Sequence, residues 1–78
     1  MKKHSFTIFL DCEGTTKDLA NSIYDQFDNC LFGQKNGKVF VDFYEQEGDF
    51  ASTLILEIVE KIEQMGVRVA GYNMKVKL

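Results

Sequence analysis

The side chains that could carry catalysis or bind a metal are few and widely spaced in this sequence. His4 is the only histidine, so a site built from several histidines is excluded and at most one imidazole could act as a base. Cys12 and Cys30 could each supply a thiolate, but nucleophilic catalysis also needs an adjacent base and a group that orients it. Such a set cannot be assembled from these residues. We therefore expect a protein that is not an enzyme and that has no cofactor and no metal.

A cluster of carboxylates in one short segment could attract a hard cation such as Ca²⁺. Its members are Asp42, Glu45, Glu47 and Asp49. Calcium needs several oxygens that converge from a tight loop, and this spacing does not match the known calcium-binding loop. We interpret Glu45 to Gly48 as a solvated connection and Asp49 as the N-cap of the helix that follows.

Size and charge limit the classes of function further. The 78 residues are enough for one domain with one core, and a hydrophobic content of 45% indicates a packed globule. Twelve acidic and nine basic residues give a net charge of −3, which disfavours general attraction to phosphate backbones. The N-terminus lacks the apolar stretch of a secretory signal, and no run approaches the roughly 20 apolar residues that cross a bilayer. We expect a cytoplasmic protein without membrane contact.

The pair Asn36-Gly37 sets the centre of the predicted fold. It lies between two apolar runs, Cys30 to Phe32 and Val39 to Tyr44, and both residues tolerate the positive φ angles of a type I′ turn. The pattern predicts a hairpin, preceded by a strand and a helix and followed by a helix and a strand. This order is β-α-β-β-α-β, the ferredoxin-like α+β sandwich, in which a four-stranded antiparallel sheet carries both helices on one face.

Apolar periodicity places the other elements. The first strand is predicted at Ser5 to Asp11 and the last at Val67 to Leu78, where a change of parity predicts a bulge near Gly71. Thr15 or Thr16 could cap the first helix, and Gly66 is the predicted stop of the second. The helical stripes are Leu19, Ala20, Ile23, Tyr24 and Phe27, then Phe50, Ala51, Leu54, Ile55, Ile58, Ile62 and Met65. Cys12 and Cys30 fall at opposite ends of this sheet, so we expect two free thiols.

The face of the sheet without helices is predicted to be aromatic. Phe6, Ile8 and Leu10 should face the helices, as should Val39, Val41 and Phe43. Phe9, Phe40 and Tyr44 should then project from the open face. A second copy of the protein, the C-terminal strand or tail of the same chain, or single-stranded RNA could cover them. The apolar character of this surface favours the second copy, and hence a homodimer.

Two short segments resemble the strands of an RNA-recognition motif. Ile8-Phe9-Leu10 is similar to the start of that family's first-strand motif, and Gly37 to Phe43 is similar to its third-strand motif. The resemblance implies that bases stack on Phe9 and Phe40. Lys38 stands where the motif has a second stacking aromatic. A looser resemblance, through Gly14 in the first strand–helix loop, is to the ACT domain and implies the sensing of a small molecule.

Over nearly its full length the chain also resembles a group of short bacterial proteins without an assigned activity. The similar segments are His4 to Ile8, Leu19 to Tyr24, Asn36 to Phe43 and Ile62 to Val69. This resemblance implies the ferredoxin-like pattern and an accessory, non-catalytic role. The sequence therefore predicts a small interaction module in which Phe9, Phe40 and Tyr44 form the contact.

Overall fold

A computed structural model of the protein describes residues 2–11 and 17–74, and it has the predicted order of elements. The strands and helices are β1 (Lys2–Asp11), α1 (Lys17–Gln26), β2 (Cys30–Lys35), β3 (Lys38–Gly48), α2 (Ala51–Gln64) and β4 (Arg68–Met74). The strands form one antiparallel sheet in the order β2-β3-β1-β4. The ferredoxin-like α+β fold is therefore confirmed, with β1 and β3 at the centre of the sheet.

The central hairpin forms at the predicted turn. Asn36 has a φ of 53° and Gly37 a φ of 76°, and the strands close with Lys35 opposite Lys38. Two consecutive positive φ angles in a two-residue connection match the twist of the flanking strands. This turn sets the register of β2 against β3 along their whole paired length.

The core lies between the sheet and the two helices, on the side predicted from strand parity. Its buried members are Phe6, Ile8, Leu10, Ile23, Val39, Val41, Phe43, Ile55, Ile58 and Ile62. Phe43 stacks on Phe6 with ring centroids 5.4 Å apart, and Phe27 meets Phe43 edge-on at the same distance. Such pairs each contribute about 0.5–1.5 kcal/mol beyond the area that they bury.

A bulge in β4 resolves the change of parity in the last strand. Phe9 pairs with Gly71 and Leu10 with Val69, so Ala70 is the extra residue. Tyr72 then pairs with Ile8, and Tyr72 and Val69 therefore lie on the same side of the sheet. The predicted bulge near Gly71 is confirmed. The end of the predicted strand, 75–78, lies outside the described residues.

The acidic segment after Phe43 is a strand, so the prediction of a solvated connection at Glu45 to Gly48 is wrong. β1 begins at Lys2, earlier than predicted, and residues 2–4 pair with 46–48. These added ladder hydrogen bonds hold the segment extended because both strands gain backbone partners. A second bulge, at Glu45 with a φ of 48°, absorbs the register shift between His4 and Phe6.

The two ends of α2 differ from each other in how well they were predicted. Gly66 ends the helix as predicted, with a φ of 89° and its N–H donating to the Glu63 carbonyl at 3.0 Å. The N-cap position is Phe50, without a side-chain cap, so the prediction of Asp49 as N-cap is wrong. Phe50 is 69% exposed rather than part of the core. Thr15 and Thr16, the predicted caps of α1, lie outside the described residues.

Candidate interaction surface

Four residues form one line across the face of the sheet opposite the helices. Phe9 lies directly across from Phe40, Phe40 from Gly33, and Phe9 from Gly71. We call Gly33, Phe40, Phe9 and Gly71 the ring row. Both rings are half-buried, and each alternates along its strand with core residues, so they project away from the helices as predicted.

The two glycines of the ring row do different things. A Cβ built at Gly33 would lie 2.6 Å from the ring of Phe40, so that ring leans across the β2 backbone. An aromatic ring packed over a glycine of the neighbouring strand shields backbone that a side chain would otherwise cover. At Gly71 a built Cβ has no neighbour within 4 Å in the described part of the chain. Among the described residues, the face is therefore filled on the β2 side of the rings and open on the β4 side.

A polar line lies next to the ring row. Leu31 pairs with Asp42, Asp42 with Thr7, and Thr7 with Asn73, and we call these four the polar row. The hydroxyl of Thr7 donates a hydrogen bond to one oxygen of the Asp42 carboxylate. The hydroxyl of Tyr44 donates to the other oxygen at 3.2 Å. Both oxygens of this central carboxylate therefore accept hydrogen bonds from within the face.

A charged line lies on the other side of the ring row. Lys35 pairs with Lys38, and Asp11 pairs with Arg68; because Leu10 pairs with Val39, the register continues with Asp11 beside Lys38. We call these four residues the charged row. Three cations and one carboxylate give it a positive balance, although the whole chain is acidic. The open face is thus divided along the strands into a basic end, an aromatic middle and a polar part that contains Asp42.

Two of the three predicted contact residues are neighbours, and the third is linked to them less directly. Phe9 and Phe40 form the middle of the ring row, whereas Tyr44 lies beyond the polar row and reaches back to it through Asp42. Tyr44 is 38% exposed, and Leu31, which the sequence did not single out, is 54% exposed on the same face. The position of Leu31 could have been found by counting residues away from the Asn36-Gly37 turn in both directions. Residues at equal distances from that turn face each other, so Leu31 lies opposite Asp42.

The residues that could do chemistry are occupied in structural contacts. The His4 ring donates from Nε2 to the Gly48 carbonyl at 3.0 Å, where it supports the extended end of β3. Burial, and then the neighbouring Asp28 carboxylate, raise the pKa of the Cys30 thiol. Cys30 is a free cysteine, with its sulfur 3.6 Å from the Phe27 carbonyl oxygen. A raised thiol pKa means less thiolate, and hence a poorer nucleophile and a poorer metal ligand.

The remaining candidates from the sequence are the loop after β1, a metal site and a membrane span. Cys12 and Gly14, and with them the loop compared with the ACT domain, lie outside the described residues. Within residues 2–11 and 17–74, no group of three or more histidine, cysteine, aspartate or glutamate side chains could hold a metal ion. None of the helices in these segments is long and apolar enough to cross a membrane.

Comparison of the chain with protein-family models, with curated proteins and with solved structures found no match. The resemblance to short bacterial proteins therefore stays a prediction, and so does the resemblance to the RNA-recognition motif.

Proposed function

We propose that this protein is a small, non-catalytic interaction module of the cytoplasm that self-associates through the open face of its sheet. The observation that carries the proposal is the ring row, which places Phe9 and Phe40 side by side on a face that no described helix covers. Tyr44 and Leu31 extend the apolar surface on the same face. A contiguous apolar surface rimmed by polar residues is typical of a protein contact.

The rings alone would not hold two copies together. Completing the burial of one half-buried ring contributes on the order of 1 kcal/mol, whereas association costs at least about 4 kcal/mol in lost freedom of motion. Two copies stacked face to face would bury four rings and two Leu31 side chains, with Tyr44 at the edge of the contact. The proposed contact is therefore a whole-face contact with Phe9 and Phe40 at its centre, where binding energy concentrates.

The polar row is compatible with such a contact. Burying a carboxylate is costly unless hydrogen bonds replace the water that it loses. Asp42 already accepts bonds from Thr7 and Tyr44, and Thr7 is buried before any partner arrives. Part of the cost of removing Asp42 from water is thus met within the monomer.

The test is Phe40→Asp, which places a charge in the centre of the face. Light scattering across a concentration series should show a wild-type dimer and a Phe40→Asp monomer, and circular dichroism should show that both are folded. Phe50→Asp is the matched control, because Phe50 is an exposed phenylalanine at the start of α2 and away from the open face. It should leave the dimer intact. A wild-type monomer, or a Phe40→Asp protein that still dimerises, would contradict the proposal.

Single-stranded RNA is the second candidate because of the side chains beside the rings. Lys35, Asn36 and Lys38 line a depression of about 290 Å³ together with Phe9 and Phe40. Cations next to exposed aromatic rings can hold the phosphates of a strand whose bases stack on those rings. Titration with a mixed pool of single-stranded oligonucleotides at low salt, followed by amide NMR, should then shift the signals of β1 and β3. An absence of shifts with a stable dimer would eliminate RNA and leave the protein contact.

A further inference from the structure

The distribution of charge on the open face decides how a second copy would be oriented. This step rests on the proposed self-association. A two-fold axis that relates two face-to-face sheets must lie in the plane between them, so its direction and its position within that plane remain to be decided. The axis can run along the strands or across them, and the two choices bring different rows into contact.

An axis along the strands superposes each row on the same row of the second copy. The charged row, with three cations and one carboxylate, would then face another charged row. With the axis between β3 and β1, Lys35 would meet the second copy's Arg68 and Lys38 the second copy's Asp11, since the order of the strands is reversed across such an axis. The central pairs are then opposite in charge, but the two rows together bring six cations and only two carboxylates into one line, and such a concentration of like charge costs affinity.

An axis across the strands, along the ring row, reverses strand direction and superposes unlike rows. Phe40 then meets the second copy's Phe40, and each row on one side of the rings meets the row on the other side. In β3 Lys38 precedes Phe40 by two residues and Asp42 follows it by two, so all three side chains lie on the open face. Lys38 would meet the second copy's Asp42, and the same pair would form a second time across the axis.

From this geometry we infer that two copies stack with β3 antiparallel over β3, with the axis along the ring row and two Lys38–Asp42 ion pairs flanking the rings. Each oxygen of a carboxylate can accept more than one hydrogen bond, so the bonds from Thr7 and Tyr44 do not by themselves prevent a contact between Asp42 and Lys38. The natural twist of packed sheets turns the strands by about 30° from strict alignment. Such a rotation preserves the pairing of rows near the axis.

Charge reversal tests the orientation. Lys38→Asp would oppose two carboxylates at each pair, and Asp42→Lys would oppose two ammonium groups. Each variant alone should dimerise at least about tenfold more weakly than wild type. An equimolar mixture should recover the dimer, because each copy of one variant finds the opposite charge on the other at both pairs. Sedimentation or light scattering measures the assembly, and amide NMR of each variant alone shows that it is folded.

The outcomes separate this inference from the proposal on which it rests. A wild-type monomer at all concentrations overturns both. A wild-type dimer that Phe40→Asp disrupts, but that the mixed variants fail to restore, overturns the antiparallel orientation and leaves self-association standing.

Crosslinking decides the orientation if a charge-reversed variant does not fold. Gly71 lies in the ring row, so the inferred axis brings it opposite the second copy's Gly71, about 10 Å away across stacked sheets. With Cys12 and Cys30 replaced by alanine, Gly71→Cys should couple to itself through a short bismaleimide, and its added side chain meets open space. Asn73→Cys, off the axis in the same strand, should couple poorly. Failure of Gly71→Cys to couple in a protein that still dimerises would contradict the inference.

Discussion

The two faces of the central strands contain similar residues and differ in what those residues do. On the covered face, Phe6 and Phe43 have no exposed surface and stack within the core. On the open face, Phe9 and Phe40 are half-buried and lie between a polar row and a charged row. The first phenylalanine pair is enclosed by the core, and in the described part of the chain the second pair lies against neighbouring residues of the sheet. We therefore expect the first pair to determine stability and the second to determine assembly.

The largest expected effect is a difference in unfolding free energy between two matched substitutions in β3, one on each face of the sheet. Phe43→Ala removes a ring that stacks on Phe6 and meets Phe27 edge-on, and it should reduce the free energy of unfolding by about 3–5 kcal/mol. Phe40→Ala, three residues earlier on the open face, should cost about 1 kcal/mol in the monomer, because its ring is only half-buried. Urea unfolding at low temperature and low protein concentration measures both. Equal losses would mean that the open face is part of the core.

The assignment of residues to the two faces of the sheet, and the position of the hairpin, could be predicted from the sequence. Strand parity was enough to assign Phe6, Ile8 and Phe43 to the core and Phe9 to the other face, because a buried face selects apolar residues at every second position. Asn36-Gly37 identified the hairpin because the turn needs positive φ angles that few residue pairs tolerate. Both signals are local, and a local signal can be read from one sequence.

What could not be predicted depends on contacts between distant segments. Residues 45–48 look like a polar loop, and they are a strand only because residues 2–4 extend far enough to pair with them. The error at Asp49 follows from the same extension, since β3 ends directly before the helix. The ring row joins Gly33 to Gly71 across all four strands, so it requires the register of three separate pairings at once.

A smaller effect should distinguish the two glycines at the ends of the ring row. Gly33→Ala places a methyl group 2.6 Å from the Phe40 ring and must displace it, so we expect a loss of about 1–2 kcal/mol in unfolding free energy. Gly71→Ala has space for its methyl group, and it should be neutral or slightly stabilising because alanine restricts the unfolded chain. Chemical denaturation of the two variants in parallel checks the difference. If Gly33→Ala were also neutral, the Phe40 ring would not be resting on β2.

The smallest expected effect compares adjacent residues of β2 that face opposite sides of the sheet. Cys30 lies opposite Phe43 on the covered face, and burial there raises the pKa of its thiol. Leu31, opposite Asp42, is exposed on the open face. In a background with Cys12 replaced by alanine, and at protein concentrations low enough to keep the chain monomeric, Cys30 should alkylate more slowly than the cysteine of a Cys30→Ala, Leu31→Cys variant. The rate difference should disappear in denaturant, and equal rates in the folded state would mean that the covered face admits water at the β2 edge.

The raised pKa of Cys30 also predicts that folding stability depends on pH, and it fixes the sign of that dependence. Where the unfolded thiol has ionised and the folded thiol has not, the folded state binds more protons, so stability falls as the pH rises. The contribution of the protonated Cys30 thiol to folding stability is complete below the ordinary thiol pKa, roughly 8.5. It is lost as the pH rises through the higher pKa of the folded state. Cys30→Ala should show a shallower loss of stability with alkaline pH than the parent. Leu31→Cys should add no such loss, because an exposed thiol ionises alike in the folded and unfolded chains. The two neighbouring positions thus report, through the same chemical group, which face of the sheet is closed in the monomer and which is accessible to solvent.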